Sequence, residues 1–239
     1  MMSKKRYIVF ILNLFIGIQY VFADVNDGLM AYSKKDYTKA FNENEFEESS
    51  SQGDTVATHY LASMYYQGFG TSKDFNKAVI LFEKSANQGY APSLANLAVM
   101  YAKGNGVHQN MDRALEYQSR AAKAGDAQSQ FLLGQMYRQG EYVQQHYEKA
   151  LLWYLKSAEQ FYVPAYNEIG LLYAQGQGVE TDYIIAYAWI FLAAEKGDSE
   201  AKLNLKNFDR ILNKSQIKEG KKVARSILSQ YEKSLKSVK

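Results

Sequence analysis

Residues 53–70 read GDTVATHYLASMYYQGFG, and this stretch decides the fold. Ala57, Leu61, Met64 and Tyr65 recur at spacings of three and four, with Ala62 beside them. That spacing lines one face of an α-helix. Gly68 ends the apolar periodicity. Glycine there suits a left-handed helix cap, and Gly70 allows a tight return. Asp74 is placed to cap a second helix over residues 74–88, with Phe75, Ala78, Leu81, Phe82 and Ala86 on its apolar side. The stretch therefore predicts a helix, a glycine turn and a second helix.

The pattern recurs. Gly53, Gly89, Gly125 and Gly197 are 36, 36 and 72 residues apart, with Phe161 at the missing term. Four units follow without a gap, at 53–88, 89–124, 125–160 and 161–196. One column holds Tyr65, Tyr101, Tyr137 and Tyr173, and a second holds Gly68, Gly104, Gly140 and Gly176. A third holds Ala78, Ala114, Ala150 and Ala186, and a fourth Ala86, Ala122, Ala158 and Ala194. Four identical columns mark an internal repeat. Small residues at 57, 93, 129 and 165, and at 62, 98, 134 and 170, let helix backbones approach. Leu81, Tyr117, Trp153 and Trp189 share a column that fills the gaps between helices. A helix pair of this kind cannot bury its apolar face alone, so the pairs must stack. The sequence predicts an all-α protein, an α-solenoid, in which antiparallel helix pairs stack into a right-handed superhelix with a 36-residue repeat. The tyrosine column reads as core. Two departures stand out. Tyr142 replaces the second loop glycine of unit three, and Phe161 replaces the opening glycine of unit four.

Residues 24–52 read as a degenerate helical repeat, with Gly28, Tyr32, Tyr37, Ala40 and Phe46. Residues 197–239 begin a further unit and end in a basic capping helix, whose apolar side holds Ile217, Val223, Ile227, Leu228 and Tyr231. Residues 1–23 read as a secretory signal peptide: Lys4, Lys5 and Arg6, an apolar run over 8–22, then Val21 and Ala23 ahead of Asp24. The run is short for a membrane span. An exported chain in a double-membrane bacterium goes to the periplasm, and release outside the cell is the alternative.

Composition excludes several classes. The 239 residues are 47% hydrophobic, too apolar for a disordered chain. They include no cysteine, which removes disulfides, a cysteine nucleophile, a cysteine-ligated metal and a lipidated cysteine. The chain has 28 Lys and Arg against 25 Asp and Glu, and the leader holds three of those bases and no acid. From Asp24 onward the formal charge is zero, so a nucleic-acid partner loses its compositional support. The charge is nevertheless segregated, at +8 over residues 202–239 and −8 over 24–201. That distribution suits a weak contact of the basic C-terminal helix with an acidic partner or anionic lipid.

The units resemble the Sel-one-like repeat family, relatives of the tetratricopeptide repeats. The resemblance rests on the spacing of glycine, alanine, Leu-Ala, tyrosine and paired glycines in 53–70, followed by Asp74 and Ala78. It is clearest in AYNEIGLLYAQGQGVETDYIIAYAWIFLAAEKG at 165–197, and it covers residues 26–232. The resemblance implies a protein–protein adaptor and no catalytic residue. Some secreted bacterial relatives carry paired cysteines in each unit and are linked to penicillin binding or β-lactam hydrolysis. A chain without cysteine does not inherit those properties.

In such a solenoid the first helices line the concave side, and columns that vary are free to meet a partner. The variable first-helix columns hold His59, Ala95, Phe131 and Asn167; Tyr60, Asn96, Leu132 and Glu168; Ser63, Val99, Gln135 and Leu171; and Tyr66, Ala102, Arg138 and Ala174. From these, His59, Tyr60, Tyr66, Gln135, Arg138 and Glu168 are the candidate partner-binding residues. Arg and Tyr are typical interface anchors. His59, His108 and His146 lack metal-ligand spacing, so no metal and no cofactor are expected. Nucleophile elbow, Walker loop, zinc-protease and dinucleotide motifs are absent, and the glycine pairs recur as turns between helices. The expected function is a non-enzymatic exported scaffold holding a protein or peptide partner. The alternatives are an envelope factor that binds peptidoglycan or a cell-wall enzyme, a secreted factor that meets a host-cell partner, and a hydrolase.

Overall fold

A computed structural model describes residues 25–42, 45–208 and 210–237. The signal-peptide reading over 1–23 lies outside them. The described residues form helices and turns, with no strand among them. The N-terminal part holds α1 (Val25–Ser33), α2 (Tyr37–Asn42) and α3 (Glu45–Ser51). The repeats follow as α4 (Thr55–Gln67) with α5 (Phe75–Ala86), α6 (Ala91–Lys103) with α7 (Met111–Lys123), α8 (Ala127–Gln139) with α9 (Tyr147–Ala158), and α10 (Val163–Gln175) with α11 (Tyr183–Glu195). The chain ends in α12 (Ser199–Phe208) and α13 (Lys214–Ser237). Each first helix packs on its hairpin mate, and each second helix packs also on the first helix of the next unit, which makes an α-solenoid. The N-terminal unit forms three short helices around Ala31, Ala40 and Phe46.

Local chemistry explains the boundaries. Asp54, Asp126 and Asp198 accept backbone N–H bonds from Ala57, Ser129 and Ala201 at 2.7, 2.6 and 2.8 Å. They start the first helices α4, α8 and α12. The other two first helices, α6 and α10, begin at Tyr90 and Tyr162 without a side-chain cap. Those helices hold the chain's two prolines, Pro92 and Pro164, in the first turn, where a missing N–H costs nothing. At the other end, Gly68, Gly104, Gly140 and Gly176 all take left-handed conformations, with φ between 67° and 77°. Their N–H groups close back on Met64, Met100, Met136 and Leu172. The second loop glycine has a different task. A Cβ on Gly106 would stand 2.5 Å from the Phe75 carbonyl, and one on Gly178 2.5 Å from the backbone of Tyr147 and Glu148. The loop rests directly on the start of the preceding unit's second helix. Tyr142 keeps the glycine backbone, with φ of 62°, but its ring turns out to solvent at 63% exposure. Phe161 likewise keeps a positive φ of 61°, and its ring meets Tyr231 edge-on at 6.3 Å.

Packing follows from size complementarity. A Cβ on Gly134 would lie 2.6 Å from the Tyr154 ring, and one on Gly170 2.4 Å from Ile190 Cγ1. Glycine in a helix costs about 1 kcal/mol relative to alanine, and here it admits a large side chain from the facing helix. The tyrosine column is only partly core. Tyr101 is buried, whereas Tyr65, Tyr137 and Tyr173 are half-buried at the core's edge. Lys77, Arg113 and Lys149 lie over the rings of Tyr65, Tyr101 and Tyr137 at 5.0, 5.3 and 5.4 Å. A cation twelve positions on thus covers the wet side of the tyrosine in three units. The apolar core is itself interrupted between units two and three. There Gln118 donates to the Ser129 carbonyl at 3.2 Å and Gln130 to the Ala122 carbonyl at 3.1 Å. A buried amide seam joins two apolar blocks.

Replacing Gly170 by alanine should lower stability by about 1–3 kcal/mol, although alanine is the better helix former, because its methyl group meets Ile190 and the Ala186 carbonyl. Urea unfolding followed by circular dichroism measures this. An unchanged or higher midpoint would contradict the packing described.

Candidate functional site

The first helices lie side by side, and polar side chains tie them together. His59 Nδ1 on α4 bonds Ser93 Oγ on α6 at 2.8 Å. Arg138 on α8 pairs with Glu168 on α10, and Asn204 on α12 donates to Asn167 on α10 at 3.1 Å. This face is the candidate site.

Several sequence candidates turn out to be committed to the fold. His59 is wedged among Tyr60, Phe82 and Tyr90, with ring centroids 5.0 to 5.5 Å away. Burial holds its imidazole down at about 4, so the ring stays neutral. Tyr60 stacks on Phe46 and meets Tyr32 edge-on, reaching back into the N-terminal unit. Tyr66 packs against Phe75, and its hydroxyl accepts a bond from Asn105 at 3.3 Å. Gln135 is half-buried on α8. The histidines do not gather: His146 Nδ1 lies 2.9 Å from Glu148 Oε2, and His108 lies exposed in the preceding unit's loop. Among the described residues no group of three His, Asp or Glu is placed to hold a metal.

Arg138 and Glu168 form the most charged feature of this face. The Arg138 Nε lies 3.2 Å from Glu168 Oε2, but its N–H does not aim squarely at that oxygen. The two side chains are 30% and 13% exposed, so water screens the pair only in part. Burial raises the Glu168 carboxyl above its usual range; Arg138 pulls it down, and Glu200 and Asp198 push it up again. Tyr154 is fully buried, and burial, then the Glu168 charge, raises its hydroxyl, with Arg138 opposing.

Two features of this face go beyond the six candidates, of which only Gln135 belongs to the first. The column Ser63, Val99, Gln135 and Leu171 continues to Asn207, and each of its members is half-buried or exposed. At its C-terminal end lies a recess of about 290 Å³ lined by Leu171, Ala174, Tyr183, Ile190, Phe208 and Ile211, among others. The 36-residue step from Leu171 to Asn207 points to it in the sequence. Half of its wall comes from the incomplete last unit, where the column pattern stops.

A row of paired helices with one continuous, variable face is a repeat scaffold. Four Sel1 repeats match the chain, over residues 55–90, 91–126, 127–160 and 163–198, and the chain belongs to the Sel1 repeat family. It is similar to a Sel1 repeat protein from Oxalobacter formigenes, at 31% identity and a TM-score of 0.70 over 83% of this chain and 85% of that one. It is also similar to a protective antigen of uropathogenic Escherichia coli strains, at 31% identity and a TM-score of 0.66, covering 77% of this chain and 41% of the antigen. Curated protein sequences give no match. Sel1 repeat proteins generally act through protein–protein contact, and the scaffold is typically non-catalytic.

The neutral, half-buried His59 has a consequence for pH. Its folded pKa lies below the ordinary 6.5, so the unfolded chain takes up a proton first as pH falls. The stability linked to it is complete above pH 6.5 and is lost toward pH 4, by up to about 3 kcal/mol. Urea midpoints of the wild type and His59→Gln, measured between those limits, should converge as pH falls. A constant difference between them would contradict this.

Proposed function

We propose that this protein is a non-enzymatic, exported scaffold that holds a protein or peptide partner along the face of α4, α6, α8, α10 and α12. The observation that carries the reading is the column from Ser63 to Asn207. It runs the length of the array with no member fully buried, although Leu171 leans on the core, and it ends at an apolar recess. Val99 is 40% exposed on this column, an apolar side chain that no packing demand explains. Arg138 adds a donor whose bond to Glu168 is poorly aligned, which leaves it suited to a partner's carbonyl or carboxylate. The mechanism is contact across several rigid helices, each presenting one or two side chains per unit. Export rests on the leader pattern of residues 1–23, and the periplasm is the proposed compartment.

Site-directed photocross-linking in cells tests the reading. A photoreactive residue is placed at Val99 or Gln135 on the first helices, and at Ile80 or Leu152 on the second helices as controls. Ile80 and Leu152 are exposed at 65% and 51%, so reach does not separate the two sets. Discrete protein adducts are expected from 99 and 135 and not from 80 and 152. Adducts confined to 80 and 152 would move the partner to the opposite face.

A further inference from the structure

The last helix carries a second surface that the repeat face does not explain. α13 has 24 residues and is the longest helix of the described chain. One side is committed to the core. Ile217, Val223, Ile227, Leu228 and Tyr231 pack against the α10–α12 cluster, and Ala224 is fully buried within it. Gly220 lets α13 sit close on α11, since a Cβ there would meet the Tyr187 ring at 2.6 Å. The other side holds Lys214, Lys218, Lys222, Arg225, Lys233 and Lys236, all exposed. Their steps of four, four, three, eight and three residues keep to one helical line, and Ser229 occupies the place between Arg225 and Lys233. The line is about 33 Å long at 1.5 Å per residue. Its only ion pair among the described residues is Lys222 with Glu219, at 3.5 Å. Packing on α11 fixes the helix, so the six charges stand in a row without further ordering.

We propose that this outer stripe of α13 docks the protein on a bilayer of anionic phospholipids. The stripe offers charge and little else. Between the cations lie Ser215, Ser226, Ser229 and Gln230, with Glu219 and Glu232 as the two acids of the helix and no exposed aromatic or aliphatic anchor described. A protein partner gains most of its affinity from such anchors, whereas an anionic bilayer surface needs only clustered Lys and Arg. The rest of the chain from Asp24 to residue 201 carries −8, which disfavours a polyanion that wraps the molecule and tolerates a plane that touches one edge. No described helix is long and apolar enough to cross a membrane, so the contact is peripheral. The α4–α12 face belongs to other helices and stays available to a partner.

The test is co-sedimentation of the full chain with vesicles of phosphatidylglycerol and phosphatidylcholine, and with vesicles of phosphatidylcholine alone. Binding to the mixed vesicles is expected to exceed binding to the neutral ones by at least about tenfold at low salt and to collapse as salt screens the surface. The triple variant Lys218→Glu, Lys222→Glu, Arg225→Glu should fall to the neutral-vesicle level, and the double variant Lys218→Arg, Lys222→Arg should retain binding. If the reversal variant misfolds by circular dichroism, substitution of the three by glutamine reads the same loss. Equal binding to both vesicle types would overturn the proposal, as would an unaffected reversal variant. Preference for polyglutamate or duplex DNA over the anionic vesicles would overturn it as well.

Discussion

Everything in this structure depends on the burial of a helix face by the neighbouring unit. One hairpin here has apolar residues on the side its mate covers and on the side the next unit covers. α11 is the limiting case: YIIAYAWIFLAAE is apolar all round, which only a helix covered on every side can be. α10, α12 and α13 supply that cover, and Ala186, Ala188, Ile190 and Ala193 are fully buried as a result. Without α12 and α13, the surface they cover would face water, at roughly 25 cal/mol per Å² of apolar area. The array therefore ends not where the repeats stop but where a helix with one polar side can close it. α13 is that helix, and the charges of its outer side follow from its being last.

The same constraint separates positions that serve the fold from positions left to function. A first-helix side chain that reaches a neighbouring unit is used by the stack. His59, Tyr60 and Tyr66 do this through Ser93, Phe46 and Asn105. Variation between units at those positions reflects matched variation in what they touch, as with glycine at 134 and 170 against Tyr154 and Ile190. Variation that no neighbour mirrors, as along Ser63, Val99, Gln135 and Leu171, is the better sign of a surface kept for a partner.

Much of the fold was legible from residues 53–70 and the columns they begin, because glycine caps and alanine contacts are local demands that each unit meets in the same way, and aspartate caps recur in several of them. Asp74 and Asp182 cap their helices, and Gly68 and its three counterparts turn left-handed. What the columns did not convey was contact between units that differ. The tyrosines at 65, 137 and 173 looked like core, and they sit at its edge because lysines twelve residues on can cover the rings of two of them. The N-terminal stretch, a degenerate repeat by its sequence, forms three short helices, which its weak periodicity did not convey. The apolar recess was hidden for a related reason, as half of its lining lies past the last complete unit.

The most direct measurement of this account compares two internal deletions by thermal circular dichroism. Removing residues 89–124 takes out α6 and α7 and brings Gln88 to Gly125, a glycine of the same column as Gly89. The account predicts a helical protein with one cooperative melt. Removing residues 89–106 takes out α6 alone and sets two second helices in succession, so α5 and α7 lose the small-residue face they pack on. That chain should lose helix content and melt without cooperativity. Equal melts from the two chains would contradict the claim that each hairpin is held by the next.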